Sequence, residues 1–311
     1  ESFDAYKAHM KELGYTVSFL QGIDLMQPNL FSENNLIFTV SDEYGRPVGF
    51  GARSLTWTKG SKSPKYINTS AKSPIYEKSK RLYNIHSAKR EGGSLYITEG
   101  YADSESMIQS GIKKVVCVGG TAFTDYHVIE LARMNETDIT LLLDGDEAGI
   151  KSASAIIEKF ANHRDFSIKI MVLPDGQDPD DYLRENGKDK FYELRVWSAF
   201  EWKLNSYDDR IDTVLIRKEI IPIIASETSP IERASMCRAL SERIGLDIDA
   251  IKEEVEQTLN ENEHKRKLDR DRIINKVLTD LKTNPNDWRL TLSEATTHLE
   301  SVSEKYNEDT F

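Results

Sequence analysis

Short apolar runs alternate with longer amphipathic stretches in the middle third of the chain. Four near-continuous apolar runs predict strands that are covered on both faces, at 95–98, 114–118, 139–143 and 168–173. The stretches between them mix good helix formers with an apolar face, as EAGIKSASAIIEKFANH does. Alternating strands and helices predict an α/β fold, with a parallel sheet and helices on both faces.

The segments on either side of this sheet follow other patterns. Residues 36–50 hold two short β-rich runs around a turn that ends at Gly45, which predicts a hairpin. Beyond residue 199 no strand pattern remains, and the capping residues Ser229 and Gly245 enclose a predicted helix. Three further stretches are predicted: helices at 211–225 and 249–259, and a polar linker or exposed helix at 260–272, after which IINKVLTDL starts a new helix.

Length and cysteine content narrow the class of protein. A chain of 311 residues predicts on the order of two or three modules. It starts at Glu1 without a targeting pattern, so we interpret it as an excised or processed fragment, and no apolar run could span a bilayer. Cys117 and Cys237 form no C-x-x-C pair, which argues against a disulfide framework or a zinc site. We expect a soluble, cytoplasmic protein without a membrane partner.

The charge is unevenly distributed along the chain. The net charge is -11, yet residues 46–90 hold eleven basic residues against one acid, so the remainder is strongly acidic. This asymmetry predicts a polyanion partner for the basic segment. Aromatic residues lie among the bases, which suits stacking on a single-stranded nucleic acid, although a flexible charged loop explains the composition as well. These aromatic residues are Trp57, Tyr66, Tyr76 and Tyr83.

Carboxylates follow three of the predicted strands. Glu99 and Asp103 follow the first strand, and Asp144 and Asp146 follow the third. Because functional groups gather at the carboxyl ends of parallel strands, we expect these acids at one edge. The alternatives are that Asp146 caps a helix and that the later acids are turn residues. Oxygen ligands alone suit Mg²⁺ or Mn²⁺ rather than zinc. The fourth strand is followed by Asp175, Asp178, Asp180 and Asp181.

These motifs resemble a known family. The set EG-x-x-D from Glu99, DGD at 144–146 and DPD at 178–180 resembles the Toprim fold of topoisomerases, primases and nucleases. The upstream segments NNLIFTVSDEYGRPVGFGARSL, SPKYINTS and IYEKSKRLYNI, ahead of LYITEGYAD, look like the RNA polymerase domain of bacterial DnaG-type DNA primases. The resemblance is strong over roughly residues 35 to 190 and weaker to about residue 259.

The resemblance implies an activity and a set of site residues. In that family the domain builds short RNA primers on single-stranded DNA, so the implied partners are the template, NTPs and an RNA/DNA hybrid product. Glu99 would be a general base or metal ligand, with Asp103 supporting it. More than one Mg²⁺ or Mn²⁺ ion is implied, held by Asp144, Asp146, Asp178 and Asp180. Nucleotide or template contacts are implied for Arg53, Lys65, Asn68, Lys78, Lys80 and Arg81.

The chain also departs from the family pattern. Gly51-Ala52-Arg53 stands where the family usually reads GGR, and Glu147 stands where a basic residue often follows DGD. The family's N-terminal zinc-binding domain is absent, so we expect that module on a missing N-terminus or in trans. Its helicase-binding domain is at best partial, which leaves a replicative helicase as a possible partner. The glycines of GGTAFTDYH suit either a phosphate cradle or a plain tight turn.

Four domains are expected. They are a basic α/β subdomain for template and NTP binding (1–90), a Toprim catalytic subdomain (91–198), a helical subdomain (199–260), and a linker with a C-terminal helical segment as a candidate for partner binding (261–311). Two other functions remain open at this stage. A Toprim nuclease would share the acids but cut nucleic acid, and a non-catalytic scaffold would bind single-stranded DNA and a helicase.

Overall fold

The structure is a computed structural model. It describes residues 3–23, 25–26, 30, 34–70, 73, 75–120, 122–143, 147–160, 166–207 and 212–283. The strands are β1 Asn35–Ser41, β2 Pro47–Ser54, β3 Tyr66–Asn68, β4 Leu95–Thr98, β5 Val115–Cys117, β6 Asp138–Leu143, β7 Ser167–Val172 and β8 Val196–Ser198. The helices are α1 Phe3–Glu12, α2 Val17–Gly22, α3 Ile85–Ala88, α4 Tyr101–Gln109, α5 Asp125–Arg133, α6 Glu147–Phe160, α7 Pro179–Tyr192, α8 Ala199–Asn205, α9 Thr213–Leu215, α10 Ile221–Ser226, α11 Pro230–Ile244 and α12 Ile248–Thr283.

The chain divides into two compact units. The first unit contains Glu1–His127 and Asp175–Glu193, and the second contains Val128–Pro174 and Leu194–Phe311. Both cysteines are free thiols with buried side chains. Among the described helices, none is both long enough and apolar enough to cross a membrane.

The first unit contains an antiparallel sheet in the order β1-β2-β3. The predicted hairpin is confirmed: β1 and β2 pair antiparallel, and Gly45 has a left-handed φ of +83° in the turn between them. Alternate side chains of β1 are buried, with Phe38 and Val40 facing the core. They pack with Tyr76 and Cys117, so Tyr76 belongs to the core rather than to a stacking surface for nucleic acid.

The four predicted strands of the α/β region are confirmed. In the first unit β4 and β5 pair in parallel, and in the second unit β6 and β7 pair in parallel. A strand that the pattern did not predict, β8, pairs antiparallel with β7. Helices α4 and α6 follow β4 and β6 along the chain, as the predicted alternation requires. The α/β class with a sheet rich in parallel strands is therefore confirmed.

The helical part of the second unit shows both confirmed and wrong predictions. Helix α11 begins after the cap Ser229, whose side chain accepts from the N–H of Glu232, and it ends at the left-handed Gly245. The predicted new helix near residue 273 is wrong, because α12 runs without a break from Ile248 to Thr283. No glycine or proline interrupts this stretch, and its polar residues are compatible with an exposed helix.

Candidate active site

Strand β4 is followed by a carboxylate that is open to solvent. The Glu99 side chain is exposed, and no group of the described residues hydrogen-bonds or ion-pairs with it. Its backbone carbonyl accepts a hydrogen bond of 3.1 Å from the N–H of Gly120. The N–H of Gly100 donates to Oδ2 of Asp103 over 3.0 Å, which caps the first turn of α4. Asp103 therefore shapes the turn that carries Glu99.

The loop after β5 brings a cation to this strand end. Gly119 and Gly120 both have left-handed backbones, with φ of +66° and +77°. The ammonium of Lys78 donates a hydrogen bond of 3.5 Å to the carbonyl of Gly120. Since the N–H of Gly120 is bonded to Glu99, this loop residue connects the lysine to the strand end. Burial lowers the pKa of Lys78, because the charged form loses contact with water.

A 3₁₀ turn at Lys78–Lys80 positions this lysine. The hydroxyl of Thr124 donates to the carbonyl of Ser79 over 2.6 Å, which attaches the turn to the start of α5. The Lys80 ammonium lies 4.4 Å from the centroid of the Tyr126 ring and 2.9 Å from Oε2 of Glu77. Lys80 is therefore held by an acid, whereas Lys78 has no carboxylate partner in the described parts of the chain.

The N–H groups of the glycine-containing loop are partly occupied. Besides the Gly120 N–H, the N–H of Thr124 donates to Nδ1 of His127 over 3.1 Å. His127 is fully buried, so it acts as a capping group inside the protein. These two bonds favour the tight-turn interpretation of GGTAFTDYH over a phosphate cradle, which would need free N–H donors.

Strands β2 and β3 carry basic and aromatic side chains on one face. In the antiparallel register Arg53 lies opposite Tyr66, and Gly51 lies opposite Asn68. Opposite residues share a face, and side chains alternate along each strand, so these four residues belong to the same face. The Arg53 guanidinium lies 5.9 Å and the Lys65 ammonium 5.8 Å from the centroid of the Tyr66 ring. These cations are held by an aromatic ring, an arrangement suited to a base and its phosphate.

Carboxylates of the first unit act electrostatically on Tyr66 of this face. Burial raises the pKa of the Tyr66 phenol, Arg53 opposes this rise, and the charges of Asp103 and Asp178 add to it. These interactions fall off with distance, so the acids that follow β4 and precede α7 lie within electrostatic reach of the basic sheet. A hydrogen bond also joins the helix that follows Glu99 to this sheet, because the hydroxyl of Tyr101 on α4 donates to Oδ1 of Asn68 on β3 over 2.7 Å.

The acids before and within α7 already have partners. Asp178 is the N-cap of this helix, and its Oδ1 accepts from the N–H of Asp181 over 2.8 Å. Oδ2 of Asp180 lies 2.7 Å from Arg184, which also contacts Asp181 at 3.0 Å. Sequence reasoning missed Arg184, although its spacing of four residues from Asp180 is that of a helical ion pair.

The remaining predicted residues have different outcomes. Arg81 pairs with Oε2 of Glu43 over 3.3 Å, so its charge is shared with the hairpin turn. The aspartates Asp144 and Asp146 lie outside the described residues. The structure thus brings Glu99, Asp103, Asp178 and Asp180 into one unit with Arg53, Lys65, Asn68, Lys78, Lys80 and Arg81.

The donor atoms of these acids fit a hard divalent cation. All the candidate ligands are carboxylates, the preferred donors of Mg²⁺ and Mn²⁺. Glu99 offers both oxygens, whereas Asp178 and Asp180 each use one oxygen within the protein. No group of three or more His, Cys, Asp or Glu residues that could hold a metal occurs within the described residues. The fit of these acids to such an ion therefore rests on the type of their donor atoms and not on a cluster that is already assembled among the described residues.

Two protein families match consecutive parts of the chain. Residues 4–89 match the family described as the N-terminal domain of the DNA primase catalytic core. Residues 96–183 match the family described as Toprim-like. Together the two matches cover more than half of the chain.

Similar proteins carry the name DNA primase. The protein of Clostridium acetobutylicum is 31% identical over 258 residues, which are 78% of this chain and 42% of that protein. The protein of Neisseria meningitidis is 31% identical over 230 residues, which are 70% of this chain and 38% of that protein. The chain therefore spans about two fifths of the length of these relatives.

Solved structures share the fold. The RNA polymerase domain of the Mycobacterium tuberculosis primase DnaG has a TM-score of 0.62 and 26% identity, with 76% of this chain and 81% of that chain covered. The DnaG primase catalytic domain bound to single-stranded DNA has a TM-score of 0.60 and 28% identity, with 70% and 71% covered. The E. coli primase catalytic core has a TM-score of 0.57 and 28% identity, with 69% and 71% covered.

The parallel strand pairs, the carboxylate that follows β4 and the Toprim-like match define a protein of the Toprim class. Within that class the chain belongs to the DnaG-type DNA primases, and it corresponds to their catalytic core, the RNA polymerase domain. The family implies the use of a divalent metal ion.

Proposed function

We propose that this chain synthesises short RNA primers on single-stranded DNA, by template-directed and metal-dependent nucleotidyl transfer. Besides family membership, one observation carries the proposal. The open carboxylate of Glu99 and the ammonium of Lys78 belong to one strand end, connected through Gly120. Phosphoryl transfer needs this combination, because carboxylates hold metal ions while fixed cations hold phosphates.

The reaction joins a strand to a nucleotide. The 3'-hydroxyl of the growing strand attacks the α-phosphorus of an NTP, a new phosphodiester bond forms, and pyrophosphate leaves. Glu99 would accept the proton of the attacking hydroxyl or hold a metal ion. Its exposed side chain, without a partner in the described part of the chain, supports either role.

The basic residues would bind phosphates and template. Arg53 and Lys65 lie beside the Tyr66 ring, which itself packs against the core, so a strand at this edge of β2 and β3 would meet two cations and the exposed part of the ring. Asn68 on the same face would supply a neutral hydrogen-bonding group. Lys80 and Arg81 would bind phosphate more weakly than the other basic residues, because each already shares its charge with a glutamate.

The acids would hold Mg²⁺ or Mn²⁺. We assign Glu99, Asp178 and Asp180 to this role, with Asp144 and Asp146, and we assign Asp103 to support the Glu99 turn. When bound, such ions neutralise the triphosphate and make the 3'-hydroxyl easier to deprotonate. For Asp180 to act as a ligand, Arg184 would have to move or share its carboxylate.

The proposed partners follow from the same reaction. A single-stranded DNA template is supported by the structure of the DnaG primase catalytic domain bound to single-stranded DNA. NTPs are the second substrate, and an RNA/DNA hybrid is the product. A replicative helicase and a zinc-binding module in trans stay predictions of the family resemblance.

Primer synthesis with variants of described acids tests the proposal. Labelled NTPs, mixed single-stranded DNA templates and Mg²⁺ or Mn²⁺ would be incubated with the native chain, with Glu99→Gln and with Asp189→Asn. Asp189 is an exposed acid of the same unit and serves as the matched control. We expect RNA products from the native chain and the control but not from Glu99→Gln. Equal products from all three proteins would contradict the role of Glu99.

A further inference from the structure

The aromatic ring of Tyr101 is held firmly in the core of the first unit. Its side chain is 2% exposed. It stacks on Phe38 with a centroid distance of 5.0 Å and an interplanar angle of 14°, and it meets Tyr83 edge-on at 5.1 Å and 89°. With one ring packed on its face and another at right angles, Tyr101 has little freedom to change rotamer.

Two glycines make room for this ring. A Cβ atom at Gly51 would lie 2.7 Å from Cε2 of Tyr101, and a Cβ atom at Gly119 would lie 2.6 Å from its hydroxyl oxygen. Both distances are too short for a side chain, so glycine is required at each position. Gly51 is also the residue opposite Asn68, which explains how the ring reaches β3.

The Tyr101 hydroxyl determines the orientation of the Asn68 amide. The hydroxyl donates its proton to Oδ1 of Asn68 over 2.7 Å. Burial raises the pKa of Tyr101 above its ordinary value, so the phenol keeps this proton at physiological pH. Because Oδ1 faces the hydroxyl, Nδ2 is directed away from it, and Nδ2 has no partner within the described residues.

We propose that Tyr101 is a positioning residue that holds the Asn68 amide so that its Nδ2 donates a hydrogen bond to an oxygen of the bound nucleic acid substrate. Asn68 is half-buried on the face of the sheet that also carries Tyr66 and Arg53. Phosphate and ribose oxygens accept hydrogen bonds, so they fit this donor. The inference rests on the proposed function, and the oxygen belongs either to the template strand or to the NTP.

A double-mutant cycle tests this assignment. The cycle uses the full chain as wild type, Tyr101→Phe, Asn68→Ala and the combination of both. We measure kcat and KM for NTP incorporation, and the dissociation constant of a fluorescent single-stranded DNA. Loss of one neutral hydrogen bond to substrate corresponds to about a tenfold effect. We expect each single variant to raise KM or the dissociation constant about tenfold, with little change in kcat.

The combined variant shows whether Tyr101 acts through Asn68. If Tyr101 acts through Asn68, Tyr101→Phe has no further effect once Asn68 is alanine. A rise confined to KM for NTP identifies the nucleotide as the source of the oxygen, and a rise in the DNA dissociation constant identifies the template. The proposal would be overturned if the fold-changes of the two single variants multiplied in the combined variant. It would also be overturned if KM and the dissociation constant were unchanged in all variants.

Two further variants exclude a purely structural effect. Tyr6→Phe removes another partly buried tyrosine hydroxyl of the first unit, one that donates to the carbonyl of Leu25 over 3.1 Å, and should leave both constants unchanged. Asn68→Asp keeps an oxygen for Tyr101 but replaces the outward donor by an acceptor, so it should be at least as defective as Asn68→Ala. Full activity of Asn68→Asp would overturn the proposal. If the wild type made no RNA, the proposed function would be wrong. The role of Tyr101 would then be tested by the dissociation constants of single-stranded DNA alone.

Discussion

Gly120 donates its backbone N–H to the carbonyl oxygen of Glu99 over 3.1 Å. This bond holds the loop after β5 against the residue that follows β4. The carbonyl of the same glycine accepts from Lys78, so a single loop residue relates a carboxylate-bearing strand end to a half-buried cation. Small changes in this loop should therefore affect both stability and substrate binding.

The two loop glycines should respond differently to alanine. Both have positive φ, so either change costs about 1 kcal/mol in backbone strain. A Cβ at Gly119 would in addition meet the Tyr101 hydroxyl at 2.6 Å, whereas a Cβ at Gly120 meets only the Lys78 ammonium at 4.0 Å. We expect Gly119→Ala to lower the free energy of unfolding by about 3 kcal/mol. Urea denaturation of both variants checks this, and equal losses would contradict it.

Lys78 should contribute more to DNA binding than Lys80. Only Lys80 is paired with a carboxylate in the described part of the chain, at 2.9 Å from Glu77. We expect Lys78→Gln to weaken binding of single-stranded DNA and to reduce the slope of log K against log salt by about 0.7, the value for one phosphate contact. Lys80→Gln, the matched control, should change the slope less. Fluorescence anisotropy over a range of salt concentrations measures both, and the reverse order would refute this ranking.

The ion pair between the buried Lys203 and the partly buried Glu219 should be important for the stability of the second unit. Lys203 is 4% exposed, and its ammonium also donates to Oγ of Ser154 on α6 over 3.0 Å. We expect Lys203→Met to lower the free energy of unfolding by about 3 kcal/mol, because it leaves the partly buried carboxylate of Glu219 without its cation. Urea denaturation measures this loss.

The control for this pair removes both charges. Lys203→Met combined with Glu219→Gln leaves no unpaired charge, while the glutamine can still accept from the Tyr207 hydroxyl. We expect the double variant to be more stable than Lys203→Met alone by about 2 kcal/mol. A double variant that is less stable than Lys203→Met would show that the pair does not act as a unit.

The same carboxylate should make stability depend on acid pH. Burial tends to raise the pKa of Glu219, but hydrogen bonds from Lys203 and Tyr207 and the charge of Lys203 hold it below its ordinary value. A lowered pKa contributes stability above the unfolded value, about 4.3, and this contribution is lost as the pH falls through the folded value. The stability difference between wild type and Glu219→Gln should therefore be constant from about pH 7 to pH 5 and decrease below about pH 4. An increase on acidification would exclude this linkage.

Much of the fold could be predicted from local patterns. The strands β4 and β6 are short, mostly apolar runs, and α11 has a cap at each end. Strand β8 has only three residues, and its pairing with β7 depends on contacts that no local pattern encodes. The polar region within α12 was ambiguous for a related reason, since charged residues suit a linker and an exposed helix equally well.

The candidate site could be predicted only in part. Glu99 was predicted because functional groups gather at the carboxyl ends of parallel strands. Its side chain is open to solvent, as a metal ligand or base must be. The bond between Tyr101 and Asn68 joins residues 33 positions apart and forms only when α4 meets β3, so no local pattern predicts it. The ion pairs of Lys80 and Arg81 were missed because composition counts charges but not their partners. The functional roles of all these residues stay predictions.

The most direct test of the proposed function is the sequence of the product. The native chain would be incubated with NTPs, Mg²⁺ or Mn²⁺ and single-stranded DNA of defined sequence, and any RNA formed would be sequenced. We predict short RNA complementary to the template, which Asp144→Asn combined with Asp146→Asn no longer makes. Cleaved DNA without ribonucleotide incorporation, lost in the same double variant, would contradict the proposal and indicate a Toprim nuclease.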